Sequence, residues 1–364
     1  MSASRRKTAA RLDTDSGVHS SRRAERRELA QRLTQVVRSF RGRRVAVLGD
    51  LVVDEFVYGD IARISREAPV LILEHSKTVV TPGAAGNAVV NLRALGADPL
   101  PVGIVGRDEP GRRLLAELRR HGIAVSGVLA RAGYHTPCKS RLLAGGVHTR
   151  RQQIVRVDRG SRTDGDLPRH LQSGLTRALR AALQRADGLL VADYGSGVAT
   201  PERVEGLAPL LLKRSLPLLV DSRSRVAAYR GATACTPNQE ELERALDLDP
   251  PLDEAAVEAA GRKLLRRTGD RAVLVTRGAR GMSLFERGRP PLHLAAFGSD
   301  EVADVTGAGD TVIATFTLAL LAGARVAEAA RLSNYAAGLV VMKAGTATVV
   351  SQELIDAIRE DLGA

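Results

Sequence analysis

The sequence predicts an α/β protein: a doubly wound, mostly parallel sheet flanked by helices, with a small β-sheet lid. Three observations predict it. From residue 167 onward helix and strand patterns alternate, and short apolar runs end in turns that carry Asp or Asn and open a helix, the pattern of buried parallel strands joined by crossover helices. The first apolar run, Val45 to Leu48, ends in Gly49-Asp50, which puts a carboxylate at the strand end where open sheets bind ligands. Residues 56–80 and 127–158 instead contain short β-like pieces, enough for a second, smaller sheet over the strand ends.

Residues 1–21 are Ser-, Arg- and Thr-rich without an apolar period and read as a disordered basic tail; residues 22–364 form the folded unit. From Arg22 to Phe40, Leu29, Leu33, Val36, Val37 and Phe40 recur at helical spacing. After Val45 to Leu48 come the β pieces Phe56 to Tyr58, Val70 to Glu74 and Thr78 to Val80. Pro82-Gly83-Ala84-Ala85-Gly86-Asn87 then opens a helix from Ala88 to Leu95, and strand Pro101 to Val105 leads through Asp108, read as a cap, into helix Arg112 to His121. Val128-Leu129, Cys138 to Leu143 and Gln152 to Val157 are assigned to the lid. Lys139, Arg141, Arg151 and Arg156 alternate with apolar residues there. Such cations suit either a phosphorylated ligand or the protection of an exposed sheet edge.

Helix Leu167 to Arg185, strand Gly188 to Ala192 ending in Asp193, helix Pro201 to Lys213, and strand Leu216 to Val220 ending in Asp221 follow. Strand Ala232 to Cys235 runs into Thr236-Pro237-Asn238-Gln239-Glu240-Glu241, and strand Ala272 to Thr276 into Arg277-Gly278-Ala279-Arg280-Gly281. Helices Thr311 to Leu321 and Val326 to Val341 precede a terminal helix.

Charge and cysteine content exclude several function classes. The net charge is +13, yet residues 1–44 hold thirteen Lys/Arg against four Asp/Glu, leaving only +4 for the other 320 residues. The basicity is mostly a tail rather than a nucleic-acid-binding face. With aromatics at 3%, stacking platforms for single strands are lacking as well. No apolar run approaches the roughly 18 residues of a membrane span, and the basic N-terminus has no hydrophobic signal region. Cys138 and Cys235 lie far apart without metal-ligand spacing, which fits a reducing compartment; a cytoplasmic protein is expected.

The stretch with the most chemistry is Asp304-Val305-Thr306-Gly307-Ala308-Gly309-Asp310, which enters an apolar helix. A glycine turn at a helix start aims backbone N–H groups at one point and adds the positive dipole end. A carboxylate at the lip of such a pocket would repel a resting anion. It makes sense as a general base, with the amides holding charge on a transferred group. A capped helix after a Gly-rich turn explains the same composition.

The segment resembles, residue for residue, the D-x-T-G-A-G-D element of the ribokinase-like (PfkB-type) carbohydrate kinases. The resemblance extends over about residues 30–360. It implies that Asp310 is the catalytic base, with Gly307, Ala308 and Gly309 forming the anion hole. It assigns Asp54, Gly83 and Asn87 to the sugar, Asn87 through the element G-[AG]-x-x-N, in which Ala84 replaces the usual second glycine. Lys139, Arg141, Arg156 and Asp193 complete the expected substrate set. ATP contacts fall on Asn238, Thr276, Gly278 and Gly309. Asn238 and Glu241 match an N-x-x-E pair that organises Mg2+ through water, although a helix N-cap explains that spacing too. Asp304 and Thr306 fall where some relatives hold a monovalent cation such as K+. Lid strands pair between subunits in the family, so a homodimer is expected.

Within the family, Arg63 to Val70, Arg151-Gln152-Gln153, Asp193-Tyr194-Gly195 and Gly345-Thr346 are similar to the D-glycero-beta-D-manno-heptose-7-phosphate kinases. Three departures bear on the substrate: Ser196 replaces Lys in D-Y-G-K-G, Ser222-Arg223 replaces Pro-Lys, and Gly145 to Thr149 reads as an insertion. The resemblance implies transfer of the γ-phosphate of ATP to a heptose phosphate or related sugar. Ribose, fructose or fructose phosphate kinases are the alternatives, as is a sugar- or nucleotide-binding regulator without turnover.

Overall fold

The structure is a computed structural model and describes residues 23–145, 152–160, 167–298, 304–343 and 345–363. The basic tail, Arg151 and residues 146–149 of the expected insertion lie outside the described residues. Among those described, the chain runs α1 (23–38), β1 (Arg44–Gly49), β2 (Leu51–Ile64), β3 (Leu71–Ala84), α2 (Ala85–Ala94), β4 (Asp98–Gly106), α3 (Glu109–Arg120), β5 (Val128–Arg131), β6 (Cys138–Gly145) and β7 (Gln152–Arg159). It continues through α4 (Arg169–Leu183), β8 (Gly188–Asp193), α5 (Pro201–Glu205), α6 (Ala208–Lys213), β9 (Leu218–Ser222), β10 (Ala234–Cys235), α7 (Gln239–Leu246), α8 (Glu254–Thr268) and β11 (Ala272–Thr276). Strands β12 (Met282–Glu286) and β13 (Leu292–Leu294) precede α9 (Ala308–Leu321), α10 (Val326–Val341) and α11 (Ser351–Leu362).

Nine of these strands form one sheet in the order β13-β12-β11-β10-β9-β8-β1-β4-β5. It is parallel except at β11-β12-β13, which the sequence reading did not foresee. Alternate residues of β1 feed two separate cores. Val45 and Val47 join the cluster built with α1, α2, α9 and α10, whereas Ala46 and Leu48 join that built with α4 and α8. Helix α9 is buried on all sides, at ten of its residues from Asp310 to Ala319, because α2 and α10 flank it. That removes the polar stripe of an ordinary surface helix. Helix α1 docks through Leu33, Val36, Val37 and Phe40, each contributing on the order of 1.5–3 kcal/mol of burial.

The lid is a four-stranded sheet, β3-β2-β6-β7. Only Asp50 separates β1 from β2, so the lid grows directly from the end of a central strand. The short β pieces of the sequence reading are parts of two fourteen-residue strands, paired antiparallel from Leu51 opposite Ala84 to Ile64 opposite Leu71. Gly59-Asp60 in β2 and His75-Ser76-Lys77 in β3 interrupt the apolar pattern and hid the continuity. Val128–Arg131, expected in the lid, pairs instead with β4 at the edge of the large sheet. The expected helix Pro201 to Lys213 is two helices, broken where Gly206 caps α5 and Pro209 enters the first turn of α6. Asp108 is the cap the sequence suggests, accepting from Gly111 N at 3.0 Å.

Candidate active site

The ends of β1, β8 and β9, the base of the lid and the N-termini of α2 and α9 converge on Asp310. Gly307 precedes α9 in the left-handed region at φ 83°. A Cβ there would lie 2.4 Å from Asn87 Nδ2, so both the backbone angle and the close approach require glycine. The Ala308 amide turns back to Val305 O at 3.3 Å. Of the three expected anion-hole amides, this one is therefore already engaged by a long hydrogen bond. Gly309 faces open space.

Asp310 is buried, and each carboxylate oxygen accepts one hydrogen bond. Asn87 Nδ2 donates to Oδ2 at 2.8 Å, and the Tyr194 hydroxyl donates to Oδ1 at 2.7 Å. The orientation of Asn87 is fixed in turn. Asn91 Nδ2 donates to its Oδ1 at 3.2 Å, and the Thr311 hydroxyl donates to Asn91 Oδ1 at 3.0 Å. Burial pushes the Asp310 carboxyl up to about 6; the Asn87 and Tyr194 hydrogen bonds pull it down, Asp54 raises it and Lys139 lowers it. A carboxyl with that value is mostly ionised at neutral pH yet accepts a proton readily.

On the lid side, Asp54 is buried on β2 but not free. Its Oδ1 accepts from Arg141 Nη1 at 2.5 Å, while the guanidinium lies 5.2 Å from the Phe56 ring centre. Lys139 stands 5.7 Å from the Tyr194 ring centre. Burial lowers its ammonium from the ordinary lysine value, and Asp54 partly offsets this. Lys139, Arg141, Asp54, Gly83 and Asn87 thus gather around Asp310.

Two expected substrate residues are placed otherwise. Arg156 sits on the outer strand β7, exposed and paired with its own neighbour Asp158 at 2.9 and 3.2 Å. Asp193 has no open side: Arg225 grips it through Nε at 3.0 Å and Nη2 at 2.6 Å, with Ser222, Tyr229 and the Gly195 amide also donating. It braces β8 against the β9 loop. Asp50 is a second brace. It is buried and accepts the backbone N–H groups of Tyr194, Ser196 and Val198. From sequence, Tyr194 stands only as part of the Asp193-Tyr194-Gly195 resemblance, with no role of its own at the site.

On the opposite side, Asn238 and Thr276 are brought together by a parallel bridge, with Thr276 N donating to Pro237 O at 3.0 Å. Gly278 opens the next turn at φ 57°, where an added Cβ would meet nothing within 4 Å, and Arg280 ties that turn to Gln239 at 2.6 Å. Asn238 and Glu241 form a reciprocal capping box, both hydrogen bonds 2.8 Å. The cap reading of this pair is therefore realised, and Glu241 Oε1 stays outside it. Burial raises the carboxyls of Glu241 and Asp221; the Asn238 amide, Arg223 and Arg244 partly offset the rise at Glu241, whereas Asp221 also feels the like charges of Glu241, Asp310 and Asp193. Asp221, facing Glu241, would be relieved by a cation, which fits Mg2+ bound through water. No set of three or more His, Cys, Asp or Glu among the described residues could hold a metal directly. Asp304 Oδ1 accepts from Thr306 N at 2.8 Å, and Thr346 Oγ1 nearby is buried without a partner.

A doubly wound sheet with a buried carboxylate at a glycine-bearing helix start, a lid on one side and a polar turn on the other, fits a sugar-kinase class of phosphotransferase. The profile described as "pfkB family carbohydrate kinase" matches residues 43–353, and the chain belongs to that family. It is 40% identical over 323 residues to the bifunctional protein HldE of Caulobacter vibrioides, covering 88% of this chain and 65% of that protein. To the HldE of Geobacter sulfurreducens it is 39% identical over 313 residues, covering 86% and 62%. The chain thus spans under two thirds of these relatives' length. Among solved structures, a ribokinase of Arabidopsis thaliana with ribose and ATP superposes at TM-score 0.67 with 19% identity, covering 88% of this chain and 99% of that one. Phosphofructokinase-2 of Escherichia coli with fructose-6-phosphate does so at 0.68 with 17% identity, covering 89% and 100%. The fold is ribokinase-like.

Proposed function

We propose that this chain transfers the γ-phosphate of ATP to a sugar-phosphate hydroxyl, with D-glycero-D-manno-heptose 7-phosphate, phosphorylated at O1, as the first candidate. The observation that carries the proposal is the buried Asp310 carboxylate, held by Asn87 and Tyr194 at the first turn of α9. In this reading Asp310 removes the proton of the sugar hydroxyl, whose oxygen attacks the γ-phosphorus while the bond to the ADP oxygen breaks. The first-turn amides of α9 hold charge on the transferred group. Lys139 and Arg141 from the lid orient the sugar phosphate, Asp54 and Asn87 its hydroxyls, and Thr276 and Gly278 flank the nucleotide. Asn238 and Glu241 would hold Mg2+ through water, and the ion supplies charge neutralisation on the ATP phosphates. Asp304 and Thr306 are proposed for a monovalent cation; Escherichia coli phosphofructokinase-2, a fold neighbour, was solved with potassium.

The HldE relatives support the heptose reading, and Ser196 and Arg223 are the positions that would shift it to a related sugar. A homodimer through the lid belongs to the same proposal, supported by the exposed apolar residues Ile61, Ile64, Leu71, Val155 and Val157. A cytoplasmic location accords with it; no helix among the described residues is long and apolar enough to cross a membrane. The test is ADP release with Mg-ATP across heptose 7-phosphates, hexose phosphates and free sugars. Turnover on the heptose phosphate, reduced about 10²–10⁴-fold by Asp310→Asn, supports the reading. ATP hydrolysis indifferent to every sugar, with tight sugar binding, replaces it with a binding protein.

A further inference from the structure

We infer that Tyr194 is a positioning residue for the general base, its hydroxyl fixing the plane of the Asp310 carboxylate from the side opposite Asn87. The inference rests on the kinase reading of the site. The terminal torsion of an aspartate is soft, so a single donor on Oδ2 would leave Oδ1 free to swing. The structure supplies two donors, one per oxygen, at 2.8 and 2.7 Å. A carboxylate has about four acceptor positions. With one taken on each oxygen, capacity remains for the substrate hydroxyl while the plane stays set.

The phenol is held from behind with unusual thoroughness for a loop residue. Tyr194 follows the last residue of β8, and the next turns pass through Gly195 at φ 87° and Gly197 at φ 81°. These glycines let the chain curl around the Asp50 carboxylate, which accepts the amides of Tyr194, Ser196 and Val198 at 2.8, 3.0 and 3.2 Å. Asp193, one residue earlier, is clamped by Arg225, Ser222 and Tyr229. The ring is covered by Lys139 from the lid, an arrangement that favours a cation over the aromatic face. Braces at both neighbours and a cover on the ring locate one hydroxyl, and that hydroxyl points at the base.

The phenol serves as a permanent donor. Burial, reinforced by the charges of Asp310 and Asp221, holds it well above the usual tyrosine value, so it stays protonated throughout the working range. The groups that bear on Asp310 are Asn87 from α2, Tyr194 beyond β8, Asp54 from β2, Lys139 from β6 and Asp221 from β9. Tyr194 is one of the two that oppose burial by hydrogen bonding the charged form. Removing its hydroxyl should therefore shift the carboxyl upward as well as loosen it.

The experiment compares wild type with Tyr194→Phe, which keeps the ring and its packing. Expected are a fall in kcat of roughly 10–100-fold, the range for a hydrogen bond to a charged group, and little change in KM for sugar or ATP. The acidic limb of kcat/KM should move to higher pH. A 13C titration of the Asp310 carboxyl in both proteins reads the same contact without turnover, and its midpoint should rise in the variant. An unchanged midpoint, or a variant altered only in KM with an unmoved acidic limb, overturns the inference. Wild type inactive on every sugar, with the midpoint still raised by Tyr194→Phe, would instead defeat the kinase reading and leave the Tyr194–Asp310 relationship standing.

Discussion

Gly83 lies so close to Asp54 that a Cβ on it would fall 2.1 Å from Asp54 Oδ2. The two sit on adjacent antiparallel strands at the lid base, Gly83 opposite Val52 and Asp54 opposite Thr81. The glycine therefore sets how deeply the Asp54 carboxylate can seat. Gly83→Ala should push Asp54 off Arg141, raising KM for the sugar by about tenfold or more, since one charge-assisted hydrogen bond is worth about 1.5–3 kcal/mol. KM for ATP should stay near wild type. Steady-state kinetics with each substrate varied in turn checks this, and equal increases in both KM values would contradict it.

Ala84, next in the chain, caps α2 at φ 53° and ψ -129°, a backbone region that costs an L-residue about 1–3 kcal/mol. Ala84→Gly should relieve that strain, and the gain is partly offset by the greater freedom of glycine in the unfolded chain. The net expectation is a stabilisation on the order of 1 kcal/mol, read as a higher denaturation midpoint at unchanged slope. A lower midpoint would mean that the surroundings hold this backbone without strain.

The Asp310 carboxylate should weaken the fold. The Asp310 carboxyl is raised to about 6 in the folded protein from an ordinary 3.8. For an acid raised in this way, protonation favours the folded state, so its stability penalty is fully present above about pH 6 and fades as pH falls toward 4. Asp310→Asn should then be more stable than wild type at pH 8, with the difference shrinking by pH 4.5. Denaturant titrations of both proteins at the two pH values measure this. A difference that is constant with pH would show that the charge is not the cause.

Asp193 and Asp54 should separate by which property they change. Asp193 is fully buried and holds Arg225, whose side chain is 35% exposed. Losing the carboxylate strands a partly buried charge, at a cost of about 2 kcal/mol after allowing for the solvent that Arg225 can reach. Asp193→Ala should lower stability while leaving KM for the sugar within a few-fold, the reverse of what a sugar ligand would do. A large rise in sugar KM with intact stability would instead support the substrate role expected for Asp193.

Much of the fold was legible because its signals are local. Apolar runs of four or five residues ending in Asp193, Asp221 and Asn238 mark buried parallel strands, and all lie in the large sheet. What sequence could not show was pairing. β5 reads like the lid strands that follow it, and only its register against Gly103 to Gly106 puts it in the other sheet. The same limit applies at the site. Asp310, Asn87, Gly307 and Asn238 belong to compact motifs with fixed spacing. Tyr194 meets Asp310 across 116 positions of sequence, and the Arg225 that occupies Asp193 comes from the loop after another strand. Which carboxylates are already satisfied is a property of the folded neighbourhood, so a strand-end Asp that braces and one that binds look alike in the chain.

The single-residue junction between β1 and β2 has a further consequence. Asp54, Lys139 and Arg141 belong to the lid, whereas Asp310, Asn238 and Thr276 belong to the large sheet and its helices. Asp50 is one joint between the two groups: its backbone links β1 to the lid, and its side chain anchors the loop bearing Tyr194. In the proposed reading, the lid strands are an exchangeable cassette: grafting 51–84 and 138–159 from a relative would alter what is phosphorylated and leave the phosphorylating machinery in place. The graft would have to respect one position above all, because a shift of a single residue at Asp50 would reverse the faces of β2 and turn Asp54 away from the cleft.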